Sequence, residues 1–217
     1  MSGIAIFDLD KTITRQGTWS RFVRHATGAR FWPGLPVVAA QAIAYKAGLA
    51  SRGSVKERAI SVYLAGQAKS ELEALAEAFI AKEVAQGLRK QTQSVIAEHK
   101  SAGDTLIIAS AAVDLICAPM SRALGFEDII CTKLSWDRND RLQPELDGEN
   151  CYGEEKLRRV EAFFGPNGPT GPVTFYSDHH TDLPCLTWAK RGVAVNPSKK
   201  LRNLAPPNGV EIVDWDR

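Results

Sequence analysis

Hydrophobic and polar positions follow two rhythms along this chain, and the change of rhythm divides it. Gly3 to Asp8 is a short apolar run closed by an acid, the pattern of a buried strand. From about Arg15 to His99 apolar residues recur at helical spacing. Ser70 is placed to cap a helix carrying Leu72, Leu75, Ala76, Phe79, Ile80 and Ala81. Ser54 is placed to start an earlier helix with Val55, Ala59, Ile60 and Tyr63. After Gly103 the strand rhythm returns at Thr105 to Ala109, followed by a helical stretch ending at Gly125. Asp128 to Trp136 reads as a strand, and Asn139-Asp140 as the turn into a hairpin partner. Tyr152 to Phe164 reads as a helix with Leu157, Val160 and Phe164 on one face. A Gly- and Pro-rich loop at 165–172 precedes a strand at Val173 to Tyr176, a helix around Thr181 to Arg191, and strands at Val193 to Val195 and Val210 to Val213.

Strands alternating with helices predict an α/β protein, with a Rossmann-like parallel sheet covered by helices on both faces. The all-helical block comes after the first strand, so it reads as an insertion. The expected organisation is a core of 1–14 and 101–217 with an inserted helical cap of 15–100. The longest apolar stretch, Phe31 to Ala50, is interrupted by Pro33, Gly34, Pro36, Gln41 and Lys46. It falls short of the roughly 18 uninterrupted apolar residues of a spanning helix. A helical hairpin or buried helix is expected there, and a segment resting on a membrane surface is the alternative.

Composition removes several classes. The chain has 217 residues, 44% of them hydrophobic, with 17 Gly and 11 Pro. That excludes disordered and collagen-like chains, and fits one domain with a substantial insertion. The net charge of +2 argues against a nucleic-acid binder. Cys117, Cys131, Cys151 and Cys185 form no CxxC pair, so neither a zinc knuckle nor a redox pair is indicated. With no secretory pattern at the N-terminus, buried free thiols in a reducing cytoplasm are expected.

Candidate chemistry sits where predicted strands end. Asp8 and Asp10 would share one side if the strand stays extended. Such a pair suits a divalent metal, or a nucleophile beside an acid/base; an acidic turn in which Asp10 or Thr12 caps a helix explains it equally. Ser110 could donate to an anion over the strand ends, or cap a following helix. Lys156 opens a predicted helix where the dipole favours acids, so it is either a placed cation or a solvated one. Asp178 and Asp182, one helical turn apart, suit metal coordination with support behind it, or simple dipole compensation. His179 and His180 suggest zinc, but adjacent histidines seldom converge on one ion, and a role at the surface or at helix entry is preferred.

The order of these groups resembles the haloacid dehalogenase superfamily, and within it subfamily IB, which includes phosphoserine phosphatase. Asp8-Leu9-Asp10-Lys11-Thr12 is similar to the DxDxT motif, Ser110 to the second-motif Ser/Thr, Lys156 to the third-motif Lys, and Asp178 with Asp182 to the acidic fourth motif. The resemblance spans nearly the whole chain, including Cys151-Tyr152-Gly153 and Val195-Asn196-Pro197. It implies a core with an inserted helical cap of C1 type and Mg²⁺-dependent phosphomonoester hydrolysis. On that pattern Asp8 is the nucleophile and Asp10 the acid/base. Ser110 and Lys156 hold the phosphoryl oxygens. Mg²⁺ lies on the Asp8 and Asp178 carboxylates and the Asp10 backbone carbonyl. Asp182 orients Lys156 or a metal-bound water, and Thr12 stands with it behind the reacting groups.

The expected partner is a small-molecule phosphomonoester. Phosphoserine phosphatases usually carry a glutamate shortly after the first motif. Arg15-Gln16-Gly17-Thr18-Trp19 stands there instead, with no acid before Glu57. Residues 11–66 carry +8 while the chain beyond carries −4, so a basic half-cap would attract an anionic metabolite or an anionic membrane surface, or is simply a solvated charged face. A lipid-linked phosphate such as phosphatidylglycerophosphate, used by some members of the subfamily, is the second expectation. A catalytically silent phosphate-binding protein is the third.

Overall fold

The computed structural model describes residues 2–217. Strand β1 (Ile4–Phe7) leads into five helices: α1 (Trp19–Thr27), α2 (Phe31–Lys46), α3 (Arg52–Tyr63), α4 (Lys69–Gln86) and α5 (Thr92–Ser101). Then come β2 (Thr105–Val113), α6 (Asp114–Leu124), β3 (Asp128–Trp136), β4 (Leu142–Asp147) and α7 (Glu154–Phe164). The remainder is β5 (Val173–Ser177), α8 (Leu183–Trp188), β6 (Arg191–Val195), α9 (Lys199–Leu204) and β7 (Glu211–Val213). One seven-stranded sheet has the order β4-β3-β2-β1-β5-β6-β7, parallel except for the β3–β4 hairpin. In β1, Ile4 faces Thr105 of β2 on one side and Val173 of β5 on the other. The chain winds outward from β1 in one direction and later in the other. This opens a crevice beyond the strand ends.

Both faces of β1 are covered, so Ile4-Ala5-Ile6-Phe7 is a continuous apolar run. Its alternate side chains feed two cores. Ala5 and Phe7 pack in a cluster with Leu72, Phe79, Ile96 and Met120 from α4, α5 and α6. Ile4 and Ile6 belong to the opposite cluster with Val160, Leu186 and Leu201. Burying a side chain such as Ile6 contributes roughly 1.5–3 kcal/mol.

The stretch 15–100 is helical, and its last helix, α5, lies against the sheet. The Gln91 N–H donates to the Trp215 carbonyl (3.0 Å), and Thr92 Oγ1 to the Ile13 carbonyl (3.0 Å). Several expected starts shift. α4 begins at Lys69, with Ala68 and not Ser70 before it, and α3 begins at Arg52, where Ser51 accepts from the Ser54 N–H at 3.0 Å. Helix α7 starts after Gly153, whose φ of +62° ends the preceding loop. The helix expected through Arg191 is shorter, because Gly192 lets β6 approach the Leu186 carbonyl, where a Cβ would sit at 2.3 Å. Of the two forms expected for 31–50, the helical hairpin is found and the buried helix is not. α2 packs as a hairpin on α3, yet none of its residues is fully buried. All four cysteines are buried and unpaired.

Candidate active site

The strand extension that would align Asp8 and Asp10 stops after β1. Lys11 turns to φ +65°, a left-handed conformation that costs a non-glycine residue about 1 kcal/mol or more. Arg89, just before α5, holds the turn by donating from Nε (2.8 Å) and Nη2 (2.6 Å) to the Lys11 carbonyl, and its Nη1 pairs with Asp216. The turn keeps both acids on one cavity of about 170 Å³ at the crevice. Ser110, Lys156, Asp178 and Asp182 line the same cavity, so six of the seven expected groups converge. The seventh, Thr12, lies behind, its Oγ1 3.4 Å from Asp8 Oδ2. A larger cavity of about 500 Å³, lined by Lys69, Glu77, Asp114 and Trp136, contains none of them.

Lys156 is the electrostatic centre. Its Nζ donates to Asp8 Oδ1 (2.9 Å) and to Asp182 Oδ2 (2.6 Å), and Asp182 also accepts from Ser177 Oγ at 2.7 Å. Burial works against the ammonium, but Asp182 and Asp8 together hold it well above its ordinary range. The lysine has two carboxylates while Asp8 has one lysine. Burial therefore pushes Asp8 up to about 6 despite Lys156, with Asp182 and Asp10 adding repulsion. Asp178 rises to about 7 through burial and the neighbouring Asp8 and Asp182. Asp10 is raised by burial, against the pull of Thr18, whose N–H (2.8 Å) and Oγ1 (2.7 Å) both donate to its Oδ1.

Ser110 lies inside β2, which continues to Val113, so it caps no helix; its Oγ accepts from the Ala112 N–H at 3.2 Å. His179 accepts from the Thr181 N–H at the turn before α8, the second of the two roles considered for it. Burial and His180 push its pKa down to about 4. Among the described residues no three His, Cys, Asp or Glu side chains gather as a metal set. The donors that do meet are the two mutually repelling carboxylates of Asp8 and Asp178, beside a turn with backbone carbonyls. Among the described residues no hydrogen-bond donor reaches the Asp178 carboxyl. An oxygen-only set completed by water fits a hard cation such as Mg²⁺ and poorly fits zinc.

The model of the haloacid dehalogenase-like hydrolases matches residues 5–187, which include every one of these groups. The chain belongs to this family. It is 31% identical to Protein CicA of Caulobacter vibrioides over 76% of this chain and 73% of that one. It is 28% identical to a histidinol-phosphatase of Neisseria meningitidis over 70% of each chain. A substrate-bound phosphoserine phosphatase structure superposes with a TM-score of 0.70 at 15% identity, covering all of this chain and 94% of that one. This last likeness shows that the hydrolase has a phosphoserine phosphatase-like fold.

Three polar residues of this hydrolase were not singled out by its motifs. Arg89 carries the Lys11 turn, and Thr18 binds Asp10. Lys56 of α3 is buried, and its Nζ donates to the Ala111 carbonyl (2.5 Å) and Asn150 Oδ1 (2.6 Å). Burial, with Arg52 adding to it, pushes Lys56 down to about 8. Its only sequence signal was membership of the basic segment. A second cavity of about 350 Å³ shares Asp10, Arg52 and Ala111 with the first and is walled by Trp19, Tyr45 and Val55.

Proposed function

We propose that this hydrolase is a phosphomonoester phosphatase that works through an aspartyl-phosphate on Asp8. The observation that carries the reading is Lys156, itself buried and held between Asp8 and Asp182 on the lining of the small cavity at the crevice. Asp8, with a pKa near 6, is anionic at neutral pH. A carboxylate oxygen attacks phosphorus, a new P–O bond forms, and the bond to the leaving oxygen breaks. Asp10, whose burial favours its protonated form, gives the leaving oxygen its proton. It then takes a proton from the water that attacks the aspartyl-phosphate, releasing phosphate and restoring the Asp8 carboxylate. Ser110 Oγ and Lys156 Nζ neutralise the transferring oxygens, and Asp182 keeps Lys156 aimed. The Asp8 and Asp178 carboxylates and the Asp10 carbonyl would hold Mg²⁺. When bound, the cation supplies further charge neutralisation at the phosphoryl group.

In this reading residues 15–100 form the cap over the core, with α5 serving as the buttress between them. The leaving group occupies the cavity of Trp19, Tyr45, Val55 and Arg52, which suits a small anionic or planar metabolite. Phosphoserine is disfavoured, since no acid follows the first motif before Glu57 to meet an amine. The buried unpaired thiols accord with a reducing cytoplasm.

The test is turnover of p-nitrophenyl phosphate and a panel including histidinol phosphate and phosphoserine, with and without Mg²⁺. Activity should require Mg²⁺, and Asp8→Asn should abolish both turnover and the aspartyl-phosphate trapped from labelled substrate. Retained turnover in Asp8→Asn would remove the nucleophile assignment. No turnover of any phosphomonoester by the wild type would remove the activity.

A further inference from the structure

The cap presents a face that phosphatase chemistry does not use. α2 contains sixteen residues without an acid, and at roughly 1.5 Å per residue it is about 24 Å long. Its inner side is fixed to α3: Phe31 stacks on Tyr63 at 5.4 Å, and Gln41 Nε2 donates to Ser54 Oγ at 3.0 Å. Its outer side meets solvent with Trp32 61% exposed and Ile43 67% exposed, joined by Leu35, Val37 and, just beyond the helix, Leu49 at 83%. Helices on the surface of a soluble protein ordinarily turn a polar face outward, and this one does not.

The charges around the face indicate what covers it. Arg30 precedes the helix, Lys46 ends it, and Arg24 and Arg58 are exposed on the adjoining α1 and α3. Among the described residues none of these four cations has an ion-pair partner. A second copy of the chain is a poor cover. A two-fold contact would bring the +8 segment 11–66 against itself. An anionic bilayer offers both an apolar layer for Trp32 and Ile43 and negative headgroups for the cations at the helix ends.

We infer that the α2–α3 hairpin docks on anionic membrane surfaces, with α2 lying in the plane of the headgroups. No helix among the described residues is long and apolar enough to cross a membrane, so the contact is peripheral. The same hairpin supplies Tyr45, Arg52 and Val55 to the leaving-group cavity, so docking brings that cavity to the surface of the bilayer. The inference does not depend on which phosphoester is cleaved, or on whether one is.

Vesicle flotation of the full chain tests it, using phosphatidylcholine alone and phosphatidylcholine with about 30% phosphatidylglycerol. The protein should float with the anionic vesicles at low salt, fail to float with the neutral ones, and dissociate as salt rises. Trp32→Glu combined with Ile43→Glu should weaken binding at least about tenfold, and Arg30→Glu combined with Lys46→Glu by a similar factor. All four positions are exposed, so circular dichroism and thermal unfolding should be unchanged and report that the fold survives. No flotation with anionic vesicles, equal flotation with neutral ones, or binding that survives both pairs of substitutions would overturn the inference. A dimer in sedimentation that the Trp32 and Ile43 substitutions dissolve, without vesicle binding, would assign the face to a second copy instead.

Discussion

Asp8 and Asp10 are two residues apart and equally acidic in sequence, yet their surroundings divide them. Asp8 hydrogen-bonds the Lys156 ammonium, while Asp10 hydrogen-bonds the neutral donors of Thr18, with the Lys56 and Arg52 cations acting on it through charge alone. Burial raises both carboxyls, Asp8 to about 6 against its Lys156 contact and Asp10 against its Thr18 bonds. What divides them is the contact each makes: an ammonium that holds one oxygen of Asp8 in place, and neutral donors that hold Asp10 beside the leaving-group cavity. Replacing Asp10 by Asn keeps an oxygen acceptor for Thr18 but removes the transferable proton. Turnover of substrates with poor leaving groups should fall by about 10²–10⁴. Substrates with good leaving groups should suffer less in the first step, visible as accumulated aspartyl-phosphate; an equal loss for both would argue against the assignment. Asp8 and Asp178 were legible because each stands directly after an apolar strand, and the other motif residues because they follow in a fixed order. Arg89, Thr18 and Lys56 were not. They act on backbone carbonyls and on a carboxylate that are distant in sequence or hidden by a turn, and no local pattern announces such contacts.

Elements were legible where punctuation and burial agree. β3 runs from Asp128 to Trp136 as its apolar pattern indicates, and α6 stops where Gly125 takes a left-handed φ of +71°. Serines misled, because a cap is chosen by the chain direction entering the helix, and Ser51 rather than Ser54 has the extended backbone that allows it. α2 is the hairpin the sequence allowed, but it is not buried: an apolar sequence shows that burial is wanted, not that it occurs within the chain. Its packing on α3 depends on Gly34, where a Cβ would lie 2.5 Å from Tyr63 Cε1 and 2.6 Å from Val62 Cγ1. Gly34→Val should force the hairpin apart and break the Tyr63 hydroxyl bond to the Phe31 carbonyl, now 2.8 Å. A loss of about 1–3 kcal/mol is expected in denaturant unfolding, with faster amide exchange in α2 than in the sheet. Unchanged exchange in α2 would show that the hairpin tolerates the added bulk.

At the scale of the whole molecule, the first strand, the sheet and α5 are tied at one polar junction. Asp104, just before β2, accepts from the Gly3 N–H (2.6 Å) and pairs with His99 Nδ1 (2.7 Å), while His99 Nε2 meets the Tyr176 hydroxyl at 2.8 Å. The His99 hydrogen bond lowers the Asp104 pKa in the folded state, with burial opposing it. Stability from this carboxylate is therefore present above its unfolded pKa of 3.8 and lost as pH falls through the lower folded value. Asp104→Asn should destabilise the protein at neutral pH and flatten the acid limb of a stability-against-pH curve. An acid limb of unchanged slope would assign acid sensitivity elsewhere. The parallel sheet itself follows from strand–helix alternation, but the central place of β1 has a consequence during synthesis. Its partners are β2, starting at Thr105, and β5, starting at Val173. At roughly 5–20 residues per second, a growing chain waits about 5–20 s for the first partner and longer for the second. Through that interval the helices of 15–100 can form on local contacts, while Ile4–Phe7 remains an apolar strand with two open edges. The growing chain thus carries an unpaired apolar strand until β2 and then β5 emerge, which makes it a client for whatever shields apolar strands at the ribosome.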